Sequence, residues 1–190
     1  MKIVTIIVRS EVARARVLAN SVAEHYPAAS VSAVVMDATP EDRGAPEPFE
    51  LLLPTDAGID DIGVLAAILT QPELREACKP LVLGHFAVGN RDETLLYLGA
   101  DSLVLGPLED IDQFASTNGV VVRLRSPRRL PSDGRRPNEA DLRGWGLYDD
   151  GLIALGGGHD HRALLEWWGE RGRDGVALDG GRPAIDRVAT

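Results

Sequence analysis

Apolar residues recur along this chain at two spacings. Lys2 to Val8 (Lys-Ile-Val-Thr-Ile-Ile-Val) and Val31 to Met36 are short, β-branched runs bounded by polar residues, and both predict strands. Between them, Val12, Ala15, Ala19, Val22 and Tyr26 fall on one helical face, Arg14 lies away from it, and Pro27 marks the stop. Ser10 is placed to cap that helix, which is expected from about Glu11 to His25 with Glu11 favourable in its first turn. The second strand ends at Asp37. Strand, helix and strand within the first 36 residues make a βαβ unit, so a right-handed crossover in a parallel sheet is expected.

Leu95 to Leu98 is apolar at every position and lies between Arg91-Asp92-Glu93 and Gly99, the pattern of a strand buried on both faces. Asp101 follows just past its carboxyl end, the edge at which open α/β sheets collect ligands. It either holds a hard cation that in turn holds a diphosphate, or it sits in a turn before Leu103 to Leu105. Elsewhere, Phe49 to Leu53 predicts a short strand ended by Pro54, and Asp60 or Asp61 caps a short helix over 63–69. A helix opens at Gln71 with Pro72 at its first position, carries Leu74, Ala77 and Cys78 inward, kinks or restarts at Pro80, and continues to Gly89. Leu108 to Phe114 predicts a helical turn, Gly119 to Leu124 a strand, and Asn138 the cap of a helix through Leu142. Leu152 to Leu155 predicts a strand ended by three glycines, with Asp149 and Asp150 just before it. Asp160 caps a helix from His161 to Gly169 that packs through Leu164, Leu165 and Trp168, and a glycine-rich, polar stretch and a short tail follow.

Composition narrows the function classes. At 190 residues the chain fits a single domain, and no apolar run approaches the length of a membrane span. A net charge of −9 argues against a nucleic-acid or anionic-membrane partner. The single cysteine, Cys78, rules out an internal disulfide and fits a reducing compartment; Ile3 to Val8 is too short for a signal peptide, so a cytoplasmic protein is expected. Against this acidic background Arg123, Arg125, Arg128, Arg129, Arg135 and Arg136 stand out in one loop broken by Pro127, Pro131, Gly134 and Pro137. The loop either folds over a diphosphate, which guanidinium forks suit, or is a proline-punctuated surface segment. His159-Asp160-His161 reads as helix capping rather than a metal site, and Trp167-Trp168 either stacks on a sugar or fills the core.

Several segments taken together resemble the GT-A-type, nucleotide-sugar-dependent glycosyltransferases, close to bacterial relatives of the glycogenin-like families. The matching pieces are Ala15 to Ser21 leading to His25-Tyr26-Pro27, Val34-Val35-Met36-Asp37, Glu73-Leu74 through Lys79-Pro80, and Leu96-Tyr97-Leu98-Gly99-Ala100-Asp101. They continue with Leu130 to Pro137, Leu147-Tyr148-Asp149-Asp150-Gly151 through Leu155, Leu165-Glu166-Trp167-Trp168, and Ile185-Asp186-Arg187. The resemblance implies a single-domain α/β fold, a Rossmann-like, mixed but mostly parallel sheet flanked by helices. It also implies a site for a nucleoside-diphosphate sugar, with transfer to an acceptor that the sequence does not identify. Val8, Arg9 and Ser10 would approach the nucleotide, and Lys79 would face the donor. Gly99 and Ala100 would line the donor beside Asp101, which would bind Mn²⁺ or Mg²⁺ against the leaving diphosphate. Asp150 and Gly151 would approach the substrate, Arg135 and Arg136 would support the diphosphate, and Asp186 would act near the acceptor as base or orienting group.

Three positions depart from the family pattern. Gly99 replaces the first carboxylate of an Asp-x-Asp motif, Asp149 stands where an amide is usual, and Arg187 stands in a late Asp-Gln pair. Asp149 or Asp150 either replaces the lost ligand or belongs to a solvated pair of acids. A non-catalytic domain of the same fold, acting as a nucleotide-binding or partner module, is the alternative. A homo-oligomer or a partner transferase chain would complete the site in either case. A nucleotidyltransferase is set aside, because Val8-Arg9-Ser10-Glu11 has no glycine to cradle a phosphate.

Overall fold

The computed structural model describes residues 1–89 and 91–178. The expected tail, with Asp186, lies outside the described residues. One sheet is built from β1 (Lys2–Ile7), β2 (Ser30–Val35), β3 (Glu50–Leu52), β4 (Leu95–Leu98), β5 (Val120–Leu124) and β6 (Tyr148–Leu155), in the order β3-β2-β1-β4-β6-β5. The first four run parallel, and β6 pairs antiparallel with both β4 and β5. The helices are α1 (Val12–His25), α2 (Ile62–Ile68), α3 (Gln71–Gly89), α4 (Glu109–Asn118), α5 (Glu139–Trp145) and α6 (Arg162–Leu178). This is the expected mixed, mostly parallel α/β sheet with helices on both sides.

Alternation along the strands sorts the core into two layers. Val4 and Ile6 of β1, with Leu95 and Tyr97 of β4, pack with Leu74, Cys78, Val82 and Leu83 of α3 and with Leu165 and Trp168 of α6. On the other face, Ile3, Leu96 and Leu98 meet Leu18 and Val22 of α1 and Ala115 of α4, while Ile7 meets Ala15 and Ala19. Two covered faces are the reason β1 and β4 read as continuous apolar runs. No helix among the described residues is long and apolar enough to cross a membrane.

Several boundaries differ from the sequence reading. Ser10 does not cap α1; it lies inside a 3₁₀ turn, Arg9–Glu11, and α1 starts at Val12. Glu11 organises this turn instead, accepting the Val8 N–H at 3.1 Å and the Arg75 guanidinium of α3 at 2.7 Å. α3 continues to Gly89 as expected, but as one helix through Pro80 without a restart, the proline being buried with its Cγ near Gly169 of α6. Leu164 is 41% exposed, and Leu165 and Trp168 alone take the packing face, with Trp167 at the rim. β6 begins at Tyr148 rather than Leu152. The carboxyl ends of β1, β2, β4 and β5 and the amino end of β6 therefore share one edge of the sheet.

Candidate functional site

At that edge the chain after β4 makes a tight turn, with the Ser102 N–H donating to the Gly99 carbonyl at 2.9 Å. Ala100 is buried against the α1 face, whereas Asp101 projects at the surface of the turn. The segment beyond is anchored where the Val104 N–H meets the Ser21 hydroxyl of α1 at 3.1 Å. A Cβ added at Gly99 would lie 2.8 Å from Asp101 Oδ1. The Asp101 carboxylate thus covers the space that a side chain at position 99 needs.

β6 is irregular just where it passes this turn. Val122 of β5 pairs with Ile153, but Arg123 pairs with Asp149, so Asp150, Gly151 and Leu152 have no partner on β5. They belong to β4 instead: Leu152 pairs with Leu98, and the Gly151 carbonyl accepts the Gly99 N–H at 2.9 Å. Such bulges re-aim side chains, here toward α3. Lys79, 1% exposed, donates to both Glu76 carboxylate oxygens at 2.9 Å, to Asp150 Oδ2 at 3.0 Å and to the Asp150 carbonyl at 3.2 Å. Its ammonium also lies 4.9 Å from the centre of the Tyr97 ring. An ammonium has three protons, and these contacts use them. The sequence reading had Lys79 facing the donor; these contacts engage its ammonium with Glu76 and Asp150, and it holds Asp150 beside Gly151 in place.

Charge in this group is unevenly shared. Burial pushes the Glu76 carboxyl up to about 7, despite the attraction of Lys79. Burial also opposes ionisation of Asp150, but Lys79 outweighs it and holds that carboxyl below its ordinary value. For Lys79 itself the penalty of burial is outweighed by Tyr97, Glu76 and Asp150, and its pKa lies above the usual one. Of the two acids, Glu76 is the one whose ionisation burial disfavours, and Asp150 the one whose charge Lys79 favours.

The neighbouring acid, Asp149, is engaged as well. It pairs with Arg123 and accepts the Gly151 N–H at 2.9 Å; burial disfavours its charge, but these partners hold its pKa below the ordinary value. Arg125 continues the strand pairing, its N–H donating to the Leu147 carbonyl at 2.9 Å, and its guanidinium lies 4.0 Å from Asp150 Oδ1. Farther along the loop, Arg136 is 3.5 Å from Asp141 and the Arg135 N–H donates to Asp133 at 3.0 Å, while the guanidinium groups of Arg128, Arg129 and Arg135 form no salt bridge among the described residues. Glu139 ties this loop down by accepting the Leu130 N–H at 2.8 Å, and Asn138 caps α5 as expected. At the far side of the edge, Val8 is buried and Ser10 exposed. The Arg9 N–H is bound to Asp37 at 2.7 Å, and the Arg9 side chain turns outward to Asp42 at 2.5 Å.

The fit of a divalent cation can be tested on these donors. Among the described residues no three His, Cys, Asp or Glu side chains converge to hold a metal ion. Asp101 is a single carboxylate, and Asp149 and Asp150 are committed to Arg123 and Lys79. Substrate phosphates and waters can complete the shell of Mn²⁺ or Mg²⁺, but Asp101 brings one carboxylate where the resemblance implies two, so among the described residues the protein's share of such a site is weaker than the motif would give. The His159-Asp160-His161 group is structural: His159 Nε2 meets the Ser116 carbonyl at 2.8 Å, and His161 Nε2 meets that of Gly156 at 2.9 Å. Burial pushes the Cys78 thiol up to about 12, so it carries no thiolate near neutrality. A cavity of about 560 Å³ lies between α3 and α6, lined by Leu81, Gly84, Arg91, Asp92 and the two histidines. Asp92 precedes β4 and His159 follows the reversed β6, so that cavity opens at the opposite edge of the sheet.

The sequence reading brought Asp101, Gly99, Ala100, Asp150 and Gly151 to this edge. It missed Glu76, Glu11 and Arg75. Spacing alone had one signal for Glu76: it stands three residues before Lys79, one helical turn away.

No protein-family model matches this chain, and no curated protein sequence matches it. Among solved structures it is similar to the galactosyltransferase LgtC in complex with donor and acceptor sugar analogues, with a TM-score of 0.51 and 15% identity. That match covers 92% of this chain and 66% of LgtC. An active-site mutant of LgtC gives a TM-score of 0.48 and 12% identity, over 90% of this chain and 59% of the mutant. The chain thus spans less than two thirds of either protein. The first likeness establishes the fold, the GT-A arrangement of a mixed sheet between helices.

Proposed function

We propose that this domain is a glycosyltransferase that binds a nucleoside-diphosphate sugar at the carboxyl edge of its sheet and passes the sugar to an acceptor. The observation that supports the reading is the Gly99–Gly151 contact beside Asp101, with Arg123 and Arg125 at the neighbouring Asp149 and Asp150, at the carboxyl edge of a GT-A framework. Similarity to a galactosyltransferase seen with donor and acceptor sugar analogues supports the same class. In this reading the exposed Asp101 carboxylate accepts hydrogen bonds from hydroxyl groups of the donor. Arg135 and Arg136 support the diphosphate from the loop, Val8 to Ser10 border the nucleotide, and Lys79 acts through Asp150. Asp186 is the group assigned to the acceptor side.

The test is thermal melting against UDP-, GDP-, ADP- and dTDP-sugars, followed by assay of nucleoside diphosphate released with mixed sugar acceptors. A ligand that binds only the native state raises the melting temperature. A shift for one base together with acceptor-dependent release is the expected result. Gly99, standing where the family has a carboxylate, favours a second reading, a non-catalytic nucleotide-binding module; a shift without release under any acceptor would establish it. No shift with any donor would contradict both.

A further inference from the structure

We infer that this site holds the donor diphosphate without a divalent cation, on the guanidinium groups of Arg123 and Arg125. The inference rests on the nucleotide-sugar reading above and concerns what neutralises the phosphates. A diphosphate leaving group needs positive charge close by, and a metal ion is one source of it. The donor set at this edge is poor in metal ligands: among the described residues no group of three converges, and Asp101 is the one carboxylate of the turn after β4, with Gly99 two positions before it.

Positive charge, by contrast, is already assembled. Arg123 stands near the end of β5 opposite Asp149 and Arg125 in the bend just past it, and their guanidinium groups reach Asp149 and Asp150, adjacent residues of β6. Both backbones are fixed by pairing to β6, Arg123 opposite Asp149 and Arg125 through the Leu147 carbonyl. The acid nearest Arg125 is Asp150, and Lys79 already neutralises it from the buried side at 3.0 Å, against 4.0 Å for Arg125. Arg125, 31% exposed, therefore keeps a positive charge that no carboxylate among the described residues claims at hydrogen-bond distance. Arg123 shares Asp149 with the Gly151 N–H, which holds that carboxylate when an incoming phosphate draws on the guanidinium. Arg128, Arg129 and Arg135 follow in the same loop with guanidinium groups that form no salt bridge among the described residues, and they add an attractive field around the pair. Guanidinium groups suit this role because their forked donors match two phosphate oxygens at once.

The experiment measures binding of UDP, GDP, ADP and dTDP to the full chain by calorimetry, in EDTA and in Mn²⁺. The expected result is affinity for one base that is unchanged within about twofold by EDTA and that weakens as salt is raised. Arg125→Gln should lose at least about tenfold in that affinity, the scale of a charge-assisted hydrogen bond, and Arg125→Lys should recover only part of it. The melting temperature of each variant without ligand reports whether it folds, and Arg128→Gln, farther out in the loop, should change affinity less than Arg125→Gln. Binding that disappears in EDTA would overturn the metal-free site while leaving the nucleotide-sugar reading intact. Binding in EDTA that ignores Arg125→Gln would overturn the assignment to this pair. Absence of binding in both buffers would overturn the underlying reading as well.

Discussion

At position 79 a buried ammonium joins Glu76 and Asp150 beneath the Tyr97 ring. A buried charge is stable only when paired, and here one cation serves two acids, so one of them keeps its proton. Burial raises Glu76 to about 7 from an ordinary 4.5. A group raised in this way contributes stability that is complete below about pH 4.5 and is lost as pH rises through about 7. Glu76→Gln cannot titrate. Urea unfolding of both proteins from pH 4 to 8 should therefore show the parent losing stability relative to the variant as pH rises. A constant difference across that range would mean that Glu76 carries its proton no longer than an exposed glutamate. Lys79 was legible in the sequence as a family-like cation, but not as a buried one, because its second acid lies 71 residues away. Asp101 was legible because a carboxylate just past an apolar run is a local pattern; its overlap with the space beside Gly99 is three-dimensional.

Among the elements, β6 departs most from its sequence pattern. Asp149 and Asp150 read as a loop before a strand, since adjacent acids are poor strand formers. They extend the strand because Arg123, 26 residues away, and Lys79 neutralise them. The same strand ends at glycines that read as a simple stop and turn out to be spacers. A Cβ at Gly156 would fall 1.9 Å from the Ala115 carbonyl oxygen at the end of α4, and one at Gly157 2.5 Å from that of Asp92. Both obstacles are backbone, so neither yields by a rotamer change. Gly156→Ala should lower stability by roughly 1–3 kcal/mol or more, read as a shift in the denaturation midpoint. A midpoint equal to that of the parent would show that α4 is free to retreat. The strands β1, β2 and β4 and the helix α1 were legible because burial on two faces, or on one helical stripe, leaves a periodic trace. α3 was harder, because proline marks a kink or restart locally, whereas here one helix runs through Pro80, whose ring is buried toward Gly169 of α6.

For the molecule as a whole, the contrast is between a chain of net charge −9 and one edge of its sheet where arginines gather. Sheet topology creates that edge: the reversed β6 brings its acidic amino end beside the carboxyl ends of β4 and β5. If the proposed function holds, the nucleotide occupies this edge rather than the cavity between α3 and α6 at the other. Amide hydrogen exchange read by mass spectrometry locates a ligand directly. It would be run with and without whichever of UDP, GDP, ADP and dTDP gives the largest melting shift. The account predicts slowed exchange in peptides covering 99–102, 123–130 and 147–152, with 80–92 and 156–166 unchanged. Protection confined to the latter two segments would contradict it and move the binding site to the opposite edge of the sheet.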